Sequence, residues 1–221
     1  MSAAPKVWLQ SRKGRVIDMV EPRASEVDFA EIADQLADVN RYAGSAERAV
    51  SVANHTLIAD ACAEAFGATL RQRQVVVLHD LHESRIGEAP TPSTRAKVAI
   101  AVEMFGLPAG DMLRQVLDEE KRRRDIAIYA AAGIPMPTAE ERVFLHRCDL
   151  AALKTERRDY LAPQPMPWAP HIEAAQALPR RIKLLPPAEA SLALHKLFLI
   201  LLPGARAQSA REPERPKRRS A

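Results

Sequence analysis

The apolar run Val75-Val76-Val77-Leu78 ends in His79-Asp80, and that junction limits what the chain can become. An imidazole beside a carboxylate at the end of a buried helix costs free energy unless something pairs with them. A metal ion is the usual partner. Three further residues fit that reading: His55 on a preceding helical segment, Glu83 one turn after His79, and Asp149 in a third apolar helix. Neighbouring residues diverge by about 100° around a helix, so a metal beside this one lies between the His79 and Asp80 directions. His55 and Asp149 then approach it from adjoining helices. Mixed imidazole and carboxylate donors suit Mn, Fe, Co, Ni or Zn better than calcium, with Mg also open.

A lone histidine in an apolar helix is more often a satisfied core residue, and His146, His171 and His195 are assigned to the core or the surface. It is the combination of His55, His79, Asp80 and Asp149 that points to a metal. Glu83, four residues after His79, shares its helix face and lies outside the ligand pattern, so it is placed to orient or deprotonate an attacking water. His82 is placed to protonate a leaving group or line the pocket. Arg41, ahead of the His55 helix, is the best-placed cation for a phosphate.

The rest of the chain reads as helical. Hydrophobic residues make up 47% and aromatic ones only 5%, so Ala, Leu, Val and Ile must build the interior, and 8 Gly leave long helix-forming stretches. Residues 7–10 and 16–19, around Lys13-Gly14-Arg15, predict a β-hairpin that packs Trp8 onto the body. Ser25 with Asp28 predicts a helix to about residue 39. Ser45 is expected to cap a long helix through His55 to Phe66. Thr69 with Gln72 forms a capping box for one continuous helix carrying His79, Asp80 and Glu83. Gly87, Pro90 and Pro92 stop it. Further helices are expected over about 95–105, 109–132 and 188–202, and from Thr138 with Glu141 to about residue 161. A Pro-rich strap spans 162–188. The expectation is an all-α domain over residues 1–203, with the hairpin at about 7–19 and the helical body at about 25–202.

Net charge is +4 and the isoelectric point near 9.3. From Gly204 onward six basic and two acidic residues account for all of it, so residues 1–203 are formally neutral. Residues 204–221 read as a disordered basic tail, solvated rather than dedicated to nucleic acid. Cys62 and Cys148 lie in apolar stretches without CxxC spacing, which argues against a disulfide framework or zinc finger. No apolar run approaches the roughly 20 residues of a membrane span, so a cytoplasmic protein without membrane contact is expected.

Several stretches resemble the HD-domain phosphohydrolases, above all small nucleotide hydrolases of the 5′-deoxynucleotidase type and related phage-encoded proteins. They are Trp8-Leu9-Gln10 with Gly14-Arg15, Asn40-Arg41-Tyr42, residues 51–55, and Leu78-His79-Asp80-Leu81-His82-Glu83 with Ile86-Gly87. Cys148-Asp149-Leu150 and Pro167-Trp168 continue the likeness, which covers roughly residues 7–200. It implies a helical bundle with His55, His79, Asp80 and Asp149 as metal ligands, Glu83 as the catalytic glutamate and Arg41 on the phosphate. Tyr42, Glu88 and Lys97 complete the expected substrate contacts. Glu88 stands where an Asp commonly follows the glycine, and residues 45–49 are unlike those relatives. The implied activity is phosphate removal from a nucleotide, foremost a deoxynucleoside 5′-monophosphate. The alternatives are a dNTP triphosphohydrolase releasing tripolyphosphate and a non-catalytic nucleotide-binding protein. A guanosine-alarmone hydrolase fits less well because Ser84 follows Glu83. Relatives of this kind often form homo-oligomers.

Overall fold

The computed structural model describes residues 7–211. Strands β1 (Trp8–Gln10) and β2 (Val16–Asp18) pair antiparallel, Leu9 opposite Ile17. Gly14 closes their turn at φ +74°, which suits glycine. Strand β2 is the covered one: Ile17 and Asp18 are buried, whereas Trp8 is 54% exposed. The expected packing of Trp8 onto the body is therefore corrected, since Ile17 takes that place.

Everything after the hairpin is helical. Helix α1 (Phe29–Asp38) opens on Asp28, which accepts from the Glu31 amide. Helix α2 (Val52–Ala65) starts at Ser51, not at Ser45. The intervening chain is tied instead by the Asn40–Ser51 bridge and by Arg41 N donating to Val50 O at 2.8 Å, and these extended contacts exclude a helix. Tyr42–Gly44 makes a tight turn. Helix α3 (Leu70–Leu78) has the expected Thr69–Gln72 capping box.

Helix α3 ends one residue before His79, which corrects the continuous helix expected through Glu83. A short α4 (Glu83–Ile86) follows a four-residue turn. The cause is local: the His79 backbone amide and its Nδ1 both seek the Val76 carbonyl, at 3.5 and 2.6 Å. The next bonds tighten to three-residue spacing, from Leu81 to Leu78 and from Glu83 to Asp80.

Helices α5 (Thr91–Phe105) and α6 (Leu107–Ala132) form an antiparallel pair; α5 begins four residues before the expected start, with Pro92 in its first turn. They cross closely at Gly110, where a Cβ would stand 2.4 Å from Val102. Helix α7 (Ala139–Tyr160) starts at the expected Thr138–Glu141 capping box. The strap contains a short α8 (Pro170–Glu173). It is pinned to α2 by Asn54, which exchanges two hydrogen bonds with the Leu185 backbone. Helix α9 (Pro187–Leu201) and helix α10 (Pro203–Ser209) close the fold.

Residues 204–209, expected to open the tail, belong to α10 instead, and that boundary moves. Gly204 presses against Ala131, Ala205 is buried, and the Gln208 side chain holds the backbones of Val27 and Phe29. The tail's remaining residues, 212–221, lie outside the described part.

Two clusters make up the core. Phe29, Leu36, Leu78, Tyr129, Leu194 and Phe198 join α1, α3, α6 and α9. Ile58, Cys62, Val76, Cys148 and Tyr160 join α2, α3 and α7. Helix α2 runs between them and is buried nearly all round, with Ala53, Ala59 and Ala63 admitting its neighbours. Both cysteines are free and buried, and burial pushes their thiols up, Cys62 to about 12 and Cys148 to about 11. No single helix among the described residues is long and apolar enough to cross a membrane.

Candidate metal centre

Because α2 is the central helix, a polar residue in its second turn has no route to solvent. His55 sits there, fully buried. Its Nε2 lies 3.2 Å from Asp149 Oδ1, 3.6 Å from Asp80 Oδ2 and 3.3 Å from His79 Nε2. His79 Nε2 in turn lies 3.0 Å from Asp80 Oδ2. The four residues expected to share a cation thus converge from α2, the turn after α3, and α7.

The imidazoles are oriented from behind. His55 Nδ1 lies 2.7 Å from a carboxylate oxygen of Glu156, and His79 Nδ1 lies 2.6 Å from the Val76 carbonyl. Both partners accept only, so each Nδ1 carries a proton and each Nε2 is turned inward, where its lone pair becomes available once a cation displaces the second proton. Metal-ligating histidines are held in this way.

The electrostatics ask for positive charge at the convergence point. Burial and the Arg41 charge push the His55 imidazole down, but Glu156 and Asp149 outweigh them and lift it to about 10. Burial likewise depresses His79, and the Asp80 charge and hydrogen bond reverse that. Burial would raise Asp80; His79, His55 and Arg41 hold it well below the usual carboxylate range. Asp149 is lowered against its burial by the hydrogen bond and charge of His55. A divalent cation supplies the charge that these carboxylates otherwise draw from protonated imidazoles.

Sequence reasoning missed Glu156. It lies on α7 seven residues after Asp149, which is two turns along the same face, and that spacing was the available signal. Fully buried, it accepts from His55, from Arg41 Nε at 3.1 Å and from the Tyr42 hydroxyl. Burial opposes its charge, yet Arg41 and His55 keep it ionised. Arg41 also reaches Asp80, its Nη1 3.6 Å from Oδ2. One carboxylate therefore ties a candidate ligand to the candidate phosphate arginine.

Glu83 is buried, and one of its carboxylate oxygens has no hydrogen-bond partner among the described residues. Burial and the Asp80 charge push it up to about 8. His82 is buried with Nδ1 3.0 Å from Asp125 on α6, a second partner that sequence reasoning did not supply. Glu88 accepts from the Ala43 amide at 3.3 Å and so braces the 42–44 turn. That turn holds Tyr42 and Ala43 at φ +59° and +51°, a costly backbone for residues bearing a side chain. Lys97 is exposed on α5, and among the described residues no hydrogen bond or ion pair joins it to the cluster.

No protein-family model matches the chain. Over 122 residues it is 31% identical to an uncharacterized protein of Rhodobacter capsulatus, a match covering 47% of this chain and 61% of that protein. The chain thus spans less than two thirds of the relative's length.

Proposed function

We propose that this chain is an HD-type, metal-dependent phosphohydrolase acting on cytoplasmic nucleotides, foremost (deoxy)nucleoside 5′-monophosphates. The observation that carries the reading is the meeting of His55, His79 and Asp80, whose donor atoms lie 3.0–3.6 Å apart, with Asp149 joining through His55 at 3.2 Å. The donor set fits a first-row divalent cation: two imidazoles with fixed inward lone pairs and two ionised carboxylates. His55, His79, Asp80 and Asp149 would hold it. Bound there, it would supply Lewis acidity, offsetting charge at phosphorus and making water easier to deprotonate.

The chain's own groups supply the rest. Arg41 presents a guanidinium beside the cluster, and Glu156 fixes its plane so that its remaining N–H groups can meet phosphate oxygens. Glu83, lifted to about 8, is matched to accepting a proton from the attacking water near neutral pH. His82, steadied by Asp125, stands one residue away and lines the pocket. Glu88 keeps the strained 42–44 turn, and with it Tyr42, at the mouth.

The test is to incubate metal-loaded protein with mono-, di- and triphosphates of ribo- and deoxynucleosides and identify the phosphorus product. Inorganic phosphate from monophosphates supports this reading. Tripolyphosphate would move the substrate to dNTPs. No release from any nucleotide with any of the candidate metals would refute it.

A further inference from the structure

We propose that Asp80, His82 and Glu83 hold a second divalent cation beside the first, with Asp80 shared between the two. The inference rests on the metal-hydrolase reading of the same site and deepens it.

Three histidines of this site are built alike. His55 and His79 each have Nδ1 anchored and Nε2 turned inward, toward the first cation site. His82 repeats the device: Nδ1 is anchored on Asp125 at 3.0 Å, which leaves the Nε2 lone pair to point away from that carboxylate. Yet among the described residues His82 Nε2 has no hydrogen-bond partner, although the residue is only 5% exposed. Glu83 Oε2 is likewise without a partner in a residue 8% exposed. Orphaned buried polar atoms are costly, and here an imidazole nitrogen and a carboxylate oxygen, both with lone pairs to give, sit on neighbouring residues. Ligand atoms of Asp80, His82 and Glu83 all fall within 4.8 Å of one another.

Donors bound to a first-row cation at about 2.0–2.2 Å lie no more than about 4.4 Å apart, so the three need close only slightly. Asp80 meets His55, His79 and Arg41 through Oδ2, which leaves its second oxygen for the neighbouring ion. Two cations about 3.5–4 Å apart clamp the attacking and leaving oxygens in many phosphoryl hydrolases. Glu83 would then spend one oxygen on the ion and keep the other for the water.

The test uses the untagged full chain carrying His146→Asn, because the exposed His146 and His171 rings lie 6.4 Å apart and could bind metal themselves. Manganese(II) alone is titrated by calorimetry and followed by electron paramagnetic resonance. The expected result is two equivalents and an exchange-coupled spectrum. His82→Ala and Glu83→Gln should each take one equivalent and give an uncoupled signal. Asp125→Asn should weaken the second equivalent by roughly 10–100-fold and spare the first, which keeps the test open should His82→Ala fail to fold. One equivalent in the parent, or two retained in both His82→Ala and Glu83→Gln, would overturn the second site and leave the proposed function standing. A water bridging the orphaned atoms gives the one-equivalent result. No manganese uptake at all would overturn both.

Discussion

The α2–α7 wall of the site and the turn at residues 79–83 hold similar side chains and treat them differently. On the wall the charges are answered from within: Glu156, fully buried, accepts from His55, Arg41 and Tyr42. In the turn, His82 and Glu83 each keep a buried atom without a partner among the described residues, and α3 has frayed to let His79 take the Val76 carbonyl. The wall is a frame whose shape does not depend on a ligand. The turn carries the unmet demand, so ligand binding should change the turn far more than the wall.

The largest expected effects would break that comparison at its shared point. Asp149→Asn or His55→Ala should lower metal-dependent phosphate release by more than about 10³-fold, beyond what losing one hydrogen-bond donor costs in an active site; steady-state phosphate assays check this. Next comes the wall itself. Glu156→Ala leaves the buried Arg41 with only its longer contact to Asp80 and should cost about 3–5 kcal/mol in denaturant unfolding. Glu156→Gln keeps the shape and should instead weaken metal affinity by roughly 10–100-fold. If Glu156→Gln left metal binding untouched, the wall would not be orienting His55. Arg41→Lys keeps the charge but loses the planar fork, and KM should rise about tenfold, close to 1.4 kcal/mol.

A smaller effect lies outside the site. Asp28 is held below its usual pKa: burial opposes this, and the hydrogen bonds from Lys13 and the Glu31 amide win. Glu31 is lowered against its own burial by Arg15 and Ser11. Depressed carboxylates add stability that is present above the unfolded value of about 4 and lost as pH falls through the folded values. The melting temperature should therefore fall as pH drops below about 4, and Glu31→Gln should fall less over the same range. The smallest effect is expected at the exposed end of the hairpin, where Trp8→Ser should change stability by no more than about 0.5 kcal/mol.

Much of this was legible in the chain because it rests on local chemistry. The Thr69–Gln72 and Thr138–Glu141 capping boxes are formed by neighbours, so spacing alone placed the starts of α3 and α7. The convergence of His55, His79, Asp80 and Asp149 was readable because buried polar residues in apolar helices demand a common partner. What escaped depends on contacts across the fold. Ser45 looks like a cap, but the bridge between Asn40 and Ser51 holds that segment extended and hands the cap to Ser51. Glu156 resembles any helix-surface glutamate until α7 is laid against α2. The tail's first turn became α10 because Gly204 can approach Ala131, a fit that composition does not reveal.

The central claim is most directly tested by cobalt(II) titration of the untagged chain, read by visible absorption and calorimetry. At least one tight equivalent is predicted for the parent, with that equivalent absent from a His79→Ala, Asp149→Asn double variant that still melts cooperatively. Undiminished tight cobalt binding in that variant would contradict the account, because the cation would then be held elsewhere.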